Sequence, residues 1–196
     1  NMRDGLKRPG TTIEESIEIA KRLQQLGTHA IVLSGGLVSA TPMYVMRGEM
    51  PIHTMTHYMD KAWLKYGVRA CGKMMVPTVP YQEAFFLEDA LRFRQAMPDM
   101  KFIYVGGLVA GDKINEVLSH GFEAVQMARS LLNEPDFVNR LKEDPHHRCG
   151  CRHSNYCIAR MYSVDMACHQ HLEEPLTPAI VREIERIEKE QDTQKR

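Results

Sequence analysis

Apolar positions along the chain alternate between two rhythms. From Thr12 to Leu26 they recur at helical spacing, with Ile13, Ile17, Ala20 and Leu23 on one face. Thr12 with Glu15 three residues later spells a capping box, and Gly27 supplies a C-terminal stop. Ala30-Ile31-Val32-Leu33 then reads as a short buried parallel strand, closed by Ser34-Gly35-Gly36. The pattern returns three times. A helix from about Ile52 to Tyr66, stopped at Gly67, leads to a strand at Lys73-Met74-Met75-Val76 closed by Pro77. A helix from about Gln82 to Ala96 leads past Pro98 to Phe102-Ile103-Tyr104-Val105, closed by Gly106-Gly107. A helix from about Asp112 to Ser119, stopped at Gly121, leads to Ala124-Val125-Gln126-Met127.

This alternation predicts an α/β protein whose strands lie parallel, side by side and in chain order. Four such units are half of an eightfold barrel or most of a small doubly wound sheet, and periodicity leaves both open. Glycine or proline at the strand ends suits a functional rim of strand-to-helix loops. Beyond Met127 the rhythm changes to Leu131-Leu132, a short helix begun by Pro135, and a Cys/His-rich stretch from His146 to His171. A last amphipathic helix, about Pro178 to Glu190, sets Ile180, Ile184 and Ile187 against a densely charged side, and Gln191 to Arg196 are expected to fray. The expected divisions are 1–145 for the strand–helix units, 146–171 for the Cys/His-rich extension and 172–196 for the final helix and end.

Charged residues at 26% and hydrophobic ones at 43% match a soluble globular protein. Lysine plus arginine equals aspartate plus glutamate, so no broad basic field is present to hold nucleic acid. No apolar run approaches the roughly 18 residues that span a bilayer, and no membrane partner is expected. The polar opening lacks a secretory signal, and with five cysteines this points to a reducing, cytoplasmic setting. The chain starts on Asn1 and runs straight into a loop, as a chain cut from a longer one would.

Two constellations carry chemistry. Val105-Gly106-Gly107 and Met127-Ala128-Arg129 close successive strands, where barrels commonly build a phosphate site from bare backbone amides and a cation. The plainer alternative is a tight turn at Gly106-Gly107, with Arg129 paired to a rim carboxylate. The second constellation is Cys149-x-Cys151-x5-Cys157-x10-Cys168, set among His146, His147, His153, His169 and His171. Four thiols so spaced could ligate zinc or a 4Fe-4S cluster, or be a reduced, partly buried thiol set. Cys71 stands alone and reads as packing. His53 and His57 share a helix face but lack a zincin pattern, so they read as surface residues. Met43, Met46 and Met50 read as gap-filling packing or the lining of a substrate edge. Gly35-Gly36 reads equally as a rim element or a plain turn.

The stretch Tyr104-Val-Gly-Gly-Leu108, followed by Glu123-Ala-Val-Gln-Met-Ala-Arg-Ser-Leu-Leu-Asn-Glu-Pro-Asp-Phe137, resembles the last two strands of the NADH:flavin oxidoreductase/old yellow enzyme family. The similarity runs back through Ala30-Ile-Val-Leu-Ser-Gly-Gly36 to Asn1-Met-Arg-Asp-Gly5, which resembles the loop after the family's fourth strand, and forward through the cysteines to about His171. The resemblance implies the C-terminal half of a TIM (β/α)8 barrel of about four units, with a cysteine-rich tail and a C-terminal helix. It implies FMN, its phosphate held at Gly106, Gly107, Ala128 and Arg129, and NAD(P)H as the reductant. The flavin would pass hydride to a small acceptor such as an activated alkene. The tail resembles that of a 2,4-dienoyl-CoA reductase-like branch, which carries a cluster there, although the first cysteine gap here is shorter and the second longer. The family's catalytic residues precede the position matched by Asn1, so the resemblance assigns no catalytic residue here. A chain lacking the N-terminal half of its barrel is expected to bind FMN weakly, to reduce nothing by itself and to self-associate. A metal-binding redox module and an inactive barrel fragment are the other two readings.

Overall fold

A computed structural model describes residues 1–5, 10–161 and 163–194. In chain order the elements are α1 (Ile13–Gln25), β1 (Ala30–Leu33), α2 (Pro42–Met46), α3 (Ile52–His57), α4 (Ala62–Met75), α5 (Leu87–Ala96), β2 (Lys101–Val105), α6 (Gly111–Ser119), β3 (Ala124–Gln126), α7 (Arg129–Asn133), α8 (Phe137–Glu143), α9 (Tyr156–Met161), a single 3-10 turn (His169–His171) and α10 (Pro178–Gln194). They fall into two compact units, Asn1–Val45 with Gln82–Gly150 and Met46–Tyr81 with Cys151–Arg196.

The first unit holds a parallel sheet in the order β1-β2-β3. Ala30 to Leu33 run beside Lys101 to Tyr104, and Ile103 to Val105 beside Ala124 to Gln126. Only the central strand is deeply covered. Phe102 and Tyr104 are fully buried, while Val32 on β1 and Gln126 on β3 are exposed. Phe102 meets Phe93 of α5 edge to face, so the helix preceding β2 is locked onto it. The helix α1 starts as its sequence requires. Thr12 Oγ1 accepts from Glu15 N–H, and the Glu15 carboxylate accepts from Thr12 N–H, completing the capping box. The opening residues lie against the end of β1, with Met2 N–H donating to Ser34 O at 2.6 Å and Gly36 N–H to Arg3 O at 2.7 Å.

The expected strand at Lys73-Met74-Met75-Val76 is not one. Residues 73–75 form the last turn of α4, which runs through Gly67 and is capped at Val76. The expected helix from Ile52 to Tyr66 breaks instead between His57 and Ala62, giving α3 and α4. The reason is local. Lysine and methionine are strong helix formers, and an apolar run this short has no periodicity of its own to oppose a helix already under way. β1 consequently pairs directly with β2. At the other end, α10 continues through Gln191 to Gln194, past the expected frayed boundary, while Lys195 and Arg196 lie outside the described residues.

The second unit is helical. Ile180, Ile184 and Ile187 on one side of α10 are buried, as their spacing predicts, and the first two form a core with Tyr156 of α9, flanked by Leu172 and Leu176. α4 approaches α3 closely at Gly72, where a Cβ would lie 2.8 Å from Ile52 Cδ1. The start of α3 is capped from α10: the buried Glu183 carboxylate accepts from His53 N–H and Thr54 N–H at 2.9 Å each and from Thr54 Oγ1 at 3.0 Å. α3 has no capping side chain of its own, so Glu183 satisfies donors that would otherwise be orphaned. Glu183→Ala should lower stability by about 1.5–3 kcal/mol, the range for hydrogen bonds to a charged group. Urea denaturation of the variant would show this as a lower midpoint, and an unchanged midpoint would refute the cap.

Candidate functional site

The register sets the geometry of the rim. Because Val105 lies opposite Gln126, the chain leaves β2 at Gly106-Gly107 beside the point where it leaves β3 at Met127-Ala128-Arg129. All four phosphate-site residues of the sequence analysis therefore stand at neighbouring strand ends on one edge of the sheet. Ser34-Gly35-Gly36, following Leu33 on β1, stands on the same edge. Gly106 is buried and Gly107 half-buried; Ala128 is exposed, and Arg129 is half-buried at the first position of α7.

The loop after β2 is held in place along its whole length. Tyr104 Oη, at the centre of the sheet, accepts from Phe86 N–H at 3.2 Å and donates to Gly106 O at 3.1 Å. Gly106 has φ +154°, and a Cβ there would sit 2.6 Å from Tyr104 Oη, so only glycine fits beneath that hydroxyl. Ser130 Oγ, next to Arg129, donates to Leu108 O and ties the start of α7 to this loop. Glu83 Oε1 accepts from Val109 N–H at 3.0 Å and Ala110 N–H at 2.9 Å, and Glu83 Oε2 accepts from Arg148 at 3.0 Å. Glycine backbone at the end of β2 thus stands next to the strand end that carries Arg129.

Tyr104, Glu83 and Ser130 escaped the sequence reading. Tyr104 looks like any apolar strand residue, and Glu83 precedes its target by 26 residues. Only Ser130, adjacent to Arg129, left a visible signal.

The cysteines are distributed differently. Cys149 is buried in the first unit, its N–H donating to Val109 O at 2.9 Å. Cys151, Cys157 and Cys168 are half-buried residues of the second unit. Among the described residues no three His, Cys, Asp or Glu side chains gather as a metal-holding group. Histidines near the cysteines have other partners. His146 bonds Asp112 at 2.6 Å, His169 bonds Glu188 at 3.2 Å, and His153 stacks on Tyr81 with ring centres 3.6 Å apart. His153 and Asn155 both adopt positive φ, with Asn155 Nδ2 donating to Arg47 O and Glu49 O, so this cysteine-flanked loop is shaped by tertiary contacts. His53 and His57 are exposed on α3, as read from sequence.

The Cys149 segment is anchored by Glu134, at the end of α7. Its carboxylate accepts from Gly150 N–H at 2.7 Å and meets His147 Nε2 at 2.7 Å. Burial raises the acid's pKa, but the His147 and Gly150 hydrogen bonds outweigh it and hold it below the ordinary 4.5. The folded-state pKa is depressed, so this anchor contributes fully above about pH 4.5 and is lost as pH falls below that value. Glu134→Gln should flatten the acid limb of a stability-versus-pH curve, measured by thermal unfolding. An acid limb identical to that of the unaltered chain would refute the assignment.

No protein-family profile matches the chain. No solved structure matches it either. The chain is similar to the 4,4'-dithiodibutanoate disulfide reductase of Rhodococcus erythropolis, at 37% identity over 164 residues, which is 83% of this chain and 40% of that protein. It thus spans about two fifths of the length of the curated relative it matches.

Proposed function

We propose that this chain is the flavin-phosphate-binding part of an oxidoreductase that reduces a small disulfide or a similarly polarised acceptor. The carrying observation is the coincidence of two independent facts. One is 37% identity to a disulfide reductase over most of the chain. The other is the placement of Gly106-Gly107 and Ala128-Arg129 at adjacent strand ends. In this reading the three strands are consecutive strands of the C-terminal half of a TIM barrel, whose rim is the usual place for such a site.

The residues fit an FMN phosphate. Gly106-Gly107 would offer backbone where no Cβ intervenes, Ala128 would leave room at the neighbouring strand end, and Arg129 would supply the charge-assisted contact. Ser130, Tyr104 and Glu83 act as positioning residues, holding both loops so that little entropy is lost on binding. FMN, when bound, would supply the two-electron chemistry, taking hydride from NAD(P)H. For a disulfide acceptor the overall balance is RSSR plus NAD(P)H plus a proton giving two thiols and NAD(P)+. The similarity to a disulfide reductase favours a disulfide over an activated alkene.

A metal centre at Cys149, Cys151, Cys157 and Cys168 stays a secondary proposal, resting on their spacing alone. In the full-length protein Arg129→Ala should weaken FMN binding by about 1.5–3 kcal/mol, as expected for loss of a charged hydrogen bond. FMN titration by fluorescence quenching of the unaltered and substituted protein is the measurement. Equal affinity in the two would remove Arg129, and with it this reading of the rim.

A further inference from the structure

Helix α4 presents a wide apolar face to the exterior. Trp63, Tyr66, Ala70 and Met74 follow one another at three- and four-residue steps, so they line one side of the helix, with Met75 about 100° further round. Trp63 is 73% exposed, Tyr66 69%, Met74 80% and Met75 71%. Four large side chains left in water on one helix need a partner, because a contiguous patch of this kind marks an interaction surface.

The charges on the same helix say which partner. Lys65, Arg69 and Lys73 recur every fourth residue along the other side, Lys61 immediately precedes the helix, and no acidic residue occurs from Lys61 to Pro80. On the helical projection Lys73 borders the Tyr66 edge of the apolar face, and Lys61 stands just before the helix at its N-terminal end. Lys73 keeps most of its surface in water while reaching Glu49 at 3.4 Å, and Glu49 also takes Arg186. Pairing with a second copy through this face would bring these like-charged lysines together, which opposes association. An anionic surface would be attracted by both. With 14 residues the helix is about 21 Å long, too short to cross a bilayer but suited to lying on one.

We propose that α4 is an interfacial helix that docks this protein on an anionic phospholipid bilayer. Trp63, Tyr66, Met74 and Met75 enter the boundary between headgroups and acyl chains. Lys61 at the helix start and Lys73 along one edge reach to the phosphates. Tryptophan and tyrosine suit that depth because each joins an apolar ring to a polar tip. This goes beyond the oxidoreductase reading and does not depend on it.

Trp63 is the chain's single tryptophan and therefore reports on this face directly. The test mixes the whole chain with vesicles of phosphatidylcholine containing phosphatidylserine, and with vesicles of phosphatidylcholine alone. With the anionic vesicles Trp63 emission should shift to the blue and the protein should sediment with the lipid, and raised salt should weaken both effects. Lys61→Gln with Lys73→Gln should reduce partitioning roughly twenty-five-fold, from about fivefold per basic residue near an anionic surface. Met74→Gln with Met75→Gln should diminish the blue shift while circular dichroism shows the helix retained. Unshifted emission without co-sedimentation would overturn the proposal, as would equal binding to neutral vesicles. Blue emission before lipid is added, together with a dimer mass by light scattering, would assign the face to a second copy instead. The salt dependence of the unaltered chain decides the matter even if a substituted one fails to fold.

Discussion

Burial of β2 between two parallel neighbours is the constraint from which the first unit follows. Phe102 and Tyr104 are fully enclosed, and a buried strand must satisfy every backbone donor and acceptor, which the ladders to β1 and β3 do. Parallel pairing also forces three strand ends onto one edge. The rim at Gly106-Gly107 and Ala128-Arg129 is thus a consequence of sheet formation and needs no separate assembly.

Tyr104 extends that constraint to the loops. Its ring belongs to the core, packed edge-on near Phe122, while its hydroxyl bridges Phe86 N–H and Gly106 O. A phenylalanine would fill the same volume and lose both hydrogen bonds. Ser130 of α7 and Glu83, in the turn ahead of α5, complete the restraint. Three polar side chains, each satisfied by backbone, therefore turn a glycine-rich segment into a fixed surface.

The second unit uses a different economy. Its helices are held by the isoleucine side of α10 and by carboxylates that serve backbone or guanidinium partners, Glu183 at α3 and Glu49 at Arg186. Tyr58, Tyr156 and Arg160 form a further polar knot, with the two phenols 2.7 Å apart; burial and the Tyr58 contact push the Tyr156 phenol up to about 12. α4 keeps Trp63, Tyr66, Met74 and Met75 outside.

Much of this was legible in the chain. The capping box at Thr12 and Glu15, the strands at Ala30, Phe102 and Ala124 and the buried side of α10 all rest on local pattern, because period and caps act within a few residues. Lys73 to Val76 could not be read this way. Four apolar-leaning residues carry too little periodicity to choose between strand and helix, and the choice fell to the helix already running from Ala62. The cysteines show the same limit from the other side. Their spacing is as compatible with a ligand set as with a reduced thiol set, because local pattern does not say which way four thiols point. The sequence by itself determined which segments would be helix or strand wherever period and cap agreed. Tertiary structure alone decided which distant groups, Glu83, Tyr104, Glu134 and Glu183, would hold those segments, because a hydrogen bond across dozens of residues leaves no trace in local spacing.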